Sequence, residues 1–80
     1  MSSSAVKLEA RAVEVSVTAD TLHVRLADGR ELSVPVAWFP RLQQASPDAR
    51  SKWRLIGGGI GINWPDLDED LSIEGLLGTR

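Results

Sequence analysis

An acidic run near the carboxyl end holds the side chains best suited to bind a cation. Asp66, Asp68 and Asp70 are spaced like the first three carboxylate ligands of an EF-hand calcium loop. The match then fails, because Leu71 occupies the position of the sharp-turn glycine and Leu77 that of the bidentate glutamate. The same carboxylates also suit a solvated face, or the approach to a final helix whose dipole favours negative charge. The spacing therefore predicts no metal site.

Three consecutive glycines, Gly57–Gly59, form a second candidate site, because glycine-rich loops can hold phosphate. A phosphate loop must open a helix, so that backbone N–H groups and the helix dipole face the anion. Here the glycines precede Ile60–Trp64, which has the pattern of a strand, and no Gly-Lys-Ser/Thr follows. The cluster therefore indicates a tight turn.

Nucleophilic and acid–base catalysis have few candidate residues. His23 is the only histidine, and its position between Leu22 and Val24 in an alternating stretch places it on the exposed face of a strand. There is no cysteine, and no serine lies in a nucleophile-elbow context. The sequence therefore predicts no catalytic residue and no cofactor.

Composition and length indicate one small soluble domain. The chain has 80 residues, of which 42% are apolar and 25% charged, and no apolar run reaches the roughly 18 residues of a membrane span. Residues 1–7 have neither the basic nor the apolar region of a secretion signal. We expect a cytoplasmic protein without a membrane partner, with a flexible tail over residues 1–10 and a single domain over residues 11–80.

Charge is unevenly distributed along the chain although the net charge is only −2. Arg41, Arg50, Lys52 and Arg54, against Asp48, give the central segment a charge of +3, whereas residues 66–74 carry −5. A basic patch near aromatic residues could contact RNA or DNA, but the overall negative charge argues against a nucleic-acid partner. The simpler interpretation is that the two segments lie close together or pair across a symmetric dimer.

The first half of the chain has the pattern of three antiparallel strands. Val13, Val15 and Val17 alternate with polar residues, and the stretches Leu22–Leu26 and Leu32–Val36 do the same. Asp28-Gly29 predicts a two-residue type I′ turn, in which both residues have positive φ. Pro35 is expected to end the third strand or to place it at an edge.

The second half predicts short helices and a second hairpin. Trp38–Leu42 suits a helical turn with a proline near its start, and Ser46-Pro47-Asp48 is a helix N-terminus running to about Trp53. Ser72 and Gly78 bracket a final helix. The predicted fold class is α+β: a three-stranded antiparallel meander and a short hairpin over residues 54–64, with two or three short helices packed on one face. Its open sheet edges and thinly covered face predict a homodimer.

Aromatic residues are confined to the second half. Three tryptophans and one phenylalanine fall within 27 residues, and the meander has none. They are expected chiefly to fill a core. Tryptophan is also enriched at binding hot spots, and a core this small rarely buries three indoles, so we expect at least one to be exposed.

Several of these blocks together resemble the bacterial domain of unknown function 2442. The similarity covers about Val13 to Gly78 and is carried by Ala27–Pro35, Trp38–Leu42, Trp53 and Ile56–Gly78. The resemblance implies a small α+β fold. In some longer relatives this fold is followed by a helix-turn-helix domain, which the length of this chain predicts to be absent here. It also implies a small protein partner, because members are often encoded beside another small domain in an arrangement like a toxin–antitoxin pair.

The family has no established activity, so the resemblance assigns no catalytic residue. In many relatives a histidine precedes the tryptophan that is Trp64 here, whereas this chain has Asn63. That difference argues against metal coordination at this position.

These observations favour a non-enzymatic protein-interaction module, such as an antitoxin-like partner of a small protein from a neighbouring gene. A regulatory or nucleic-acid-associated role is the alternative, and a metal-dependent enzyme fits less well. The candidate interaction surface combines the indoles with the acidic run: Trp38, Trp53, Trp64, Asp66, Asp68, Glu69 and Asp70.

Overall fold

The computed structural model describes residues 7–78. Residues 1–6, which make up most of the predicted tail, lie outside this range. Within the remainder of that tail, the backbone N–H of Glu9 donates a hydrogen bond of 2.8 Å to Asp28 Oδ2. Residues 7–10 have no regular secondary structure.

The predicted meander is present and forms the first sheet. Strands β1 (Ala12–Val17), β2 (Thr21–Leu26) and β3 (Glu31–Pro35) pair antiparallel in that order. Val15 lies opposite Val24, and Leu22 opposite Val34, and all four side chains are buried. The alternating pattern was thus a correct guide to the buried face of β2, and His23 is exposed as expected.

The alternating sequence pattern gives the wrong side-chain orientation at the start of β1. The pairing with β2 shifts register between Ala12 and Glu14, as at a β-bulge. One extra residue reverses which side chains face the core, so Ala12 is buried and Val13 is 43% exposed. The prediction that Val13 lies on the buried face is therefore wrong.

The turn between β2 and β3 is longer than predicted. Gly29 N–H donates to the Leu26 carbonyl at 3.0 Å, and Leu26 N–H donates to the Arg30 carbonyl at 2.8 Å. Gly29 has φ +96°, whereas Asp28 does not have positive φ. This pattern belongs to a three-residue loop closed by a left-handed glycine rather than to a type I′ turn. Asp28 instead uses its carboxylate to accept the Arg30 N–H at 3.0 Å.

Three short helices follow where the sequence placed their starts. They are α1 (Pro40–Gln43), preceded by a 3₁₀ turn over Val36–Trp38, α2 (Pro47–Ser51) and α3 (Ile73–Leu77). Ser46 Oγ accepts the Ala49 N–H at 3.1 Å and Ser72 Oγ accepts the Gly75 N–H at 3.0 Å. Gly78, with φ +72°, ends α3. Helix α2 ends two residues before the predicted Trp53.

The second hairpin is present, but it belongs to a larger sheet than predicted. Strands β4 (Arg54–Ile56) and β5 (Gly61–Trp64) pair around the glycine turn, and β6 (Glu69–Ser72) adds to the other side of β5. Strand β6 is an addition to the predicted fold, because the sequence of this acidic stretch indicated only the approach to the final helix. A 3₁₀ turn over Pro65–Leu67 and a left-handed Asp68, with φ +52°, connect β5 to β6.

The core lies between the two sheets and the helices. It joins the inner face of the meander to Leu42 of α1, Ile62 and Trp64 of β5 and Ile73 of α3, each of which is fully buried. The Ala12 N–H donates to the Gly59 carbonyl at 2.7 Å, so the glycine turn is docked on the edge of β1. The α+β architecture predicted from the sequence is confirmed, with a second three-stranded sheet in place of an isolated hairpin.

Candidate interaction surface

The three tryptophans have very different environments. Trp38 ends the first 3₁₀ turn and is 67% exposed, Trp53 is half-buried, and Trp64 is completely buried. Trp64 also donates its Nε1–H to the Arg50 carbonyl at 3.0 Å. The inclusion of Trp64 in the interaction surface therefore needs correction, because a side chain enclosed by the core cannot contact a partner. The expectation that at least one indole is exposed is confirmed by Trp38.

Trp38 is held at the surface by the backbone around it. Val36 N–H donates to the Asp20 carbonyl at 2.9 Å, and Phe39 N–H donates to the Val36 carbonyl at 2.9 Å. The buried Val36 side chain anchors the same turn in the core. These contacts anchor the turn on both sides of Trp38 and leave its indole at the surface.

The basic and acidic segments pair within one chain. Lys52 Nζ lies 3.1 Å from Asp48 Oδ2 and 3.8 Å from Asp66 Oδ2. The hydrogen bond to Asp48 and the charges of both carboxylates raise the pKa of Lys52. Arg41 donates a hydrogen bond to the Asp68 carbonyl, and its guanidinium lies 4.0 Å from the Asp68 carboxylate. The prediction that the two segments lie close together is confirmed.

Asp70 occupies a different position from Asp66 and Asp68. It lies in β6, opposite Asn63, which in turn lies opposite Arg54. Arg54 Nε donates to Asn63 Oδ1 at 2.9 Å, and Asn63 Nδ2 donates to Asp70 Oδ1. Within residues 7–78, neither Asp70 nor Glu69 forms an ion pair. The exposed Asp70 carboxylate therefore keeps its negative charge available at the surface.

A shallow depression brings Trp38 and Asp70 together. Its walls come from the 3₁₀ turn and the residue after it, from β6 and from α3, and the lining residues are Trp38, Phe39, Asp70, Leu71, Ser72, Gly75 and Leu76. Of the predicted interaction surface, it includes Trp38 and Asp70 and leaves out the other five residues. We call this depression the Trp38 groove.

The apolar walls of the Trp38 groove lie outside the interaction surface predicted from the sequence. Phe39, Leu71 and Leu76 are half-buried and pack against the core while also lining the surface. Their apolar character was visible in the sequence, but the signal needed to join them was the strand character of Glu69–Ser72.

The glycine cluster and the single histidine lie in a turn and on the surface of the meander. Gly57–Gly59 all have positive φ and lead into strand β5, so they form a turn and do not open a helix. His23 Nδ1 lies 3.2 Å from Ser33 Oγ on the exposed face of the meander. In the described part of the chain, no group of three or more His, Cys, Asp or Glu side chains is arranged to hold a metal ion. Over the same residues, no helix is both long and apolar enough to cross a membrane.

Comparison with solved structures finds the same fold in bacterial proteins without an assigned function. A protein of unknown function from Rhodospirillum rubrum is 30% identical, with a TM-score of 0.73 over 85% of this chain and 84% of its own. An uncharacterized protein from Chromobacterium violaceum, solved by NMR, is 24% identical, with a TM-score of 0.72 over 85% of this chain and 64% of its own. The second likeness shows the fold alone. No curated protein matches the sequence.

The model of one protein family matches nearly the whole chain. The match extends over residues 12–80, from the first residue of β1 through α3, and so includes every strand and helix described above. The resemblance noted in the sequence is therefore confirmed. The chain belongs to the family described as Protein of unknown function (DUF2442).

Proposed function

We propose that this chain is a non-enzymatic protein-interaction module, and that the Trp38 groove is its contact surface. One observation carries the proposal: an indole that is 67% exposed lies beside a groove with apolar walls and a carboxylate that forms no ion pair within the described chain. Tryptophan supplies a large rigid contact area, and its burial against a partner removes apolar surface from water. The indole shares the groove with the apolar side chains of Phe39, Leu71 and Leu76, and contiguous apolar patches on soluble proteins mark interaction sites.

The partner should combine apolar and basic groups. Asp70 carries the free charge of the groove, and the wider acidic segment adds Glu69 beside it. A basic partner would gain both orientation and a faster encounter from this charge. A small protein encoded beside this one, as in a toxin–antitoxin pair, is the first partner to test, and we place both proteins in the bacterial cytoplasm.

A nucleic-acid-associated role is less consistent with the placement of the arginines. Arg50 donates to the carbonyls of Leu42 and Gln43 at 3.0 and 2.7 Å, and Arg41 and Arg54 are bonded to Asp68 and Asn63. Guanidinium groups used in this way hold the fold together and are less available to phosphates.

The test is capture of partners from the native bacterium with an affinity-tagged chain and two matched variants. Trp38→Ser removes the indole from the groove, whereas Val13→Ser removes an exposed apolar side chain from the other sheet. We expect the neighbouring-gene protein to be recovered with the wild-type chain and with Val13→Ser, and to be lost with Trp38→Ser at an unchanged melting temperature. Equal recovery with Trp38→Ser, or no specific recovery with the wild-type chain, would contradict the proposal.

A further inference from the structure

Strand β6 has one edge turned away from its own sheet. The Ile73 N–H donates to the Ile60 carbonyl at 2.9 Å, which makes 60 and 73 a hydrogen-bonded pair. Since such pairs alternate along an antiparallel ladder, Leu71 and Glu69 direct their N–H and C=O groups toward β5. The N–H and C=O groups of Asp70, and the N–H of Ser72, therefore point outward.

The open part of this edge is short and has defined ends. The carbonyl of Asp68, the residue just before the strand, accepts a hydrogen bond from Arg41. At the other end Ser72 is the N-cap of α3, so its carbonyl belongs to the first turn of that helix. Within residues 7–78, no strand other than β5 pairs with β6. The edge thus offers two donors and one acceptor to an incoming backbone.

The Trp38 groove runs along this edge. Its lining includes three consecutive residues of β6, Asp70, Leu71 and Ser72. Side chains of neighbouring strand residues point to opposite faces, so a depression that touches all three lies beside the strand. The rest of its lining comes from Trp38 and Phe39 and from Gly75 and Leu76 of α3. An edge strand facing an apolar wall is the geometry in which extended peptides add to a sheet.

We propose that an extended segment of the partner protein adds to β6 as a fourth strand, with an apolar side chain beside Trp38 and a lysine or arginine beside Asp70. This inference rests on the proposed function and specifies how the Trp38 groove is used. Backbone hydrogen bonds to Asp70 and Ser72 provide the pairing. The groove and the carboxylate select which side chains fit.

Charge complementarity identifies a basic segment rather than a second copy of this chain as the occupant. Asp68, Glu69 and Asp70 are consecutive acidic residues at the edge, and of these three only Asp68 pairs with a cation, Arg41, in the part of the chain that the structure describes. Two β6 strands paired across a two-fold axis would bring these stretches together, and like charges facing each other destabilise a strand pair. Lysine or arginine in the added strand would bring opposite charge to Asp70, the acidic residue that lines the groove.

The first test uses a terminally blocked hexapeptide of alternating lysine and valine, titrated into the ¹⁵N-labelled chain. We expect the largest amide shifts at Asp70 and Ser72, with slower hydrogen exchange at both, and the smallest change at Leu71, whose amide already bonds to β5. A glutamate–valine peptide and a fully N-methylated lysine–valine peptide should not bind. An absence of shifts at Asp70 and Ser72 up to about 2 mM peptide, or equal binding by either control, would overturn the proposal.

The second test distinguishes the contribution of the Asp70 backbone N–H from that of the Asp70 charge. Asp70→Asn keeps the outward N–H and an acceptor for Asn63 but removes the charge. Asp70→Pro also removes the N–H, and proline is tolerated where a strand N–H faces outward. We expect Asp70→Pro to bind the lysine–valine peptide about tenfold more weakly than Asp70→Asn does. Equal binding would overturn strand addition. If Asp70→Pro does not fold, the N-methylated peptide decides.

The two proposals fail in different ways. If partner capture depends on Trp38 but the peptide does not perturb Asp70 and Ser72, the interaction function stands and strand addition is wrong. If capture does not depend on Trp38, the proposed function itself is wrong, whatever the peptide does.

Discussion

Trp64 Nε1 donates a hydrogen bond to the backbone carbonyl of Arg50 at 3.0 Å, tying the end of β5 to α2. The side chain of Arg50 links α2 to further elements, because its guanidinium donates to the Leu42 carbonyl at 3.0 Å and to the Thr18 carbonyl at 3.0 Å. One half-buried arginine therefore joins both sheets and two helices.

Substitution of Trp64 should show that this indole has a structural role. Trp64→Phe removes the Nε1–H and leaves the Arg50 carbonyl without that donor, so we expect a loss of about 1–3 kcal/mol in the free energy of unfolding. Trp38→Phe is the matched control, and its cost should be within about 0.5 kcal/mol because the side chain is exposed. Urea denaturation measures both. Equal losses of unfolding free energy would contradict the buried environment of Trp64 and the exposed environment of Trp38.

Arg50 should not be replaceable by lysine. Arg50→Lys keeps the charge but cannot reproduce the planar fork that reaches the carbonyls of Leu42, Gln43 and Thr18. We expect a cost of about 1–3 kcal/mol in the free energy of unfolding. Arg54→Lys, at an exposed arginine that bonds to Asn63, should cost less than about 0.5 kcal/mol. A result in which Arg50→Lys is as mild as Arg54→Lys would rule out this bonding role.

The glycine turn provides a test of how the two sheets are joined. Gly59 has φ +106°, and a Cβ placed there would lie 2.5 Å from the Ala12 carbonyl oxygen. Gly58 also has positive φ, at +71°, but a Cβ there would meet no atom within 4 Å. Gly58→Ala should therefore cost only the left-handed backbone strain, about 1–2 kcal/mol.

Gly59→Ala should be distinctly more destabilising, because it adds a collision with β1 to the same strain. Thermal denaturation of the two variants gives the comparison directly. Equal melting temperatures would show that the turn is not docked on β1.

Asp28 should make the free energy of unfolding depend on pH in the acid range. Hydrogen bonds from the side chain and backbone of Arg30, and from the backbone of Glu9, lower the pKa of Asp28 from 3.8 to about 2. Because the folded pKa lies below the unfolded one, the contribution is fully present above about pH 3.8 and is lost as the pH falls through about 2.

Asp28→Asn tests this directly. The difference in unfolding free energy between wild type and Asp28→Asn should be constant from about pH 5 to 7 and shrink between about pH 4 and 2. Urea denaturation of wild type and Asp28→Asn across this pH range measures the difference. A difference for Asp28→Asn that stays constant down to pH 2 would contradict the lowered pKa.

The features that could be predicted from the sequence are those set by neighbouring residues. The hydroxyl caps at Ser46 and Ser72 and the glycine stop at Gly78 depend on a few adjacent positions, and each was found where it was expected. The meander followed from a regular alternation in β2, which is buried on one face only. These signals are local, so no knowledge of the rest of the fold was needed.

The features that could not be predicted depend on distant contacts. Strand β6 consists of Glu-Asp-Leu-Ser, a composition with low strand propensity, and it forms because β5 offers an edge and Leu71 packs on the core. The opposite exposures of Trp38 and Trp64 likewise depend on which elements surround each indole. The pairing of the acidic and basic segments was predictable in kind, but the separation of Asp70 from Asp66 and Asp68 required the register of β6.

The bond from Arg41 to the Asp68 carbonyl has a consequence for colloidal behaviour. A sheet edge with a long row of free backbone groups can recruit further chains and grow into fibrils. Here the row of free groups on β6 ends at the Arg41 guanidinium on one side and at α3 on the other. On β1 the Ala12 N–H is already bonded to the Gly59 carbonyl, and on β3 Pro35 has no N–H. A guest strand at β6 is therefore limited to a short segment, and this binding edge lacks the long row of free backbone groups from which a fibril could grow.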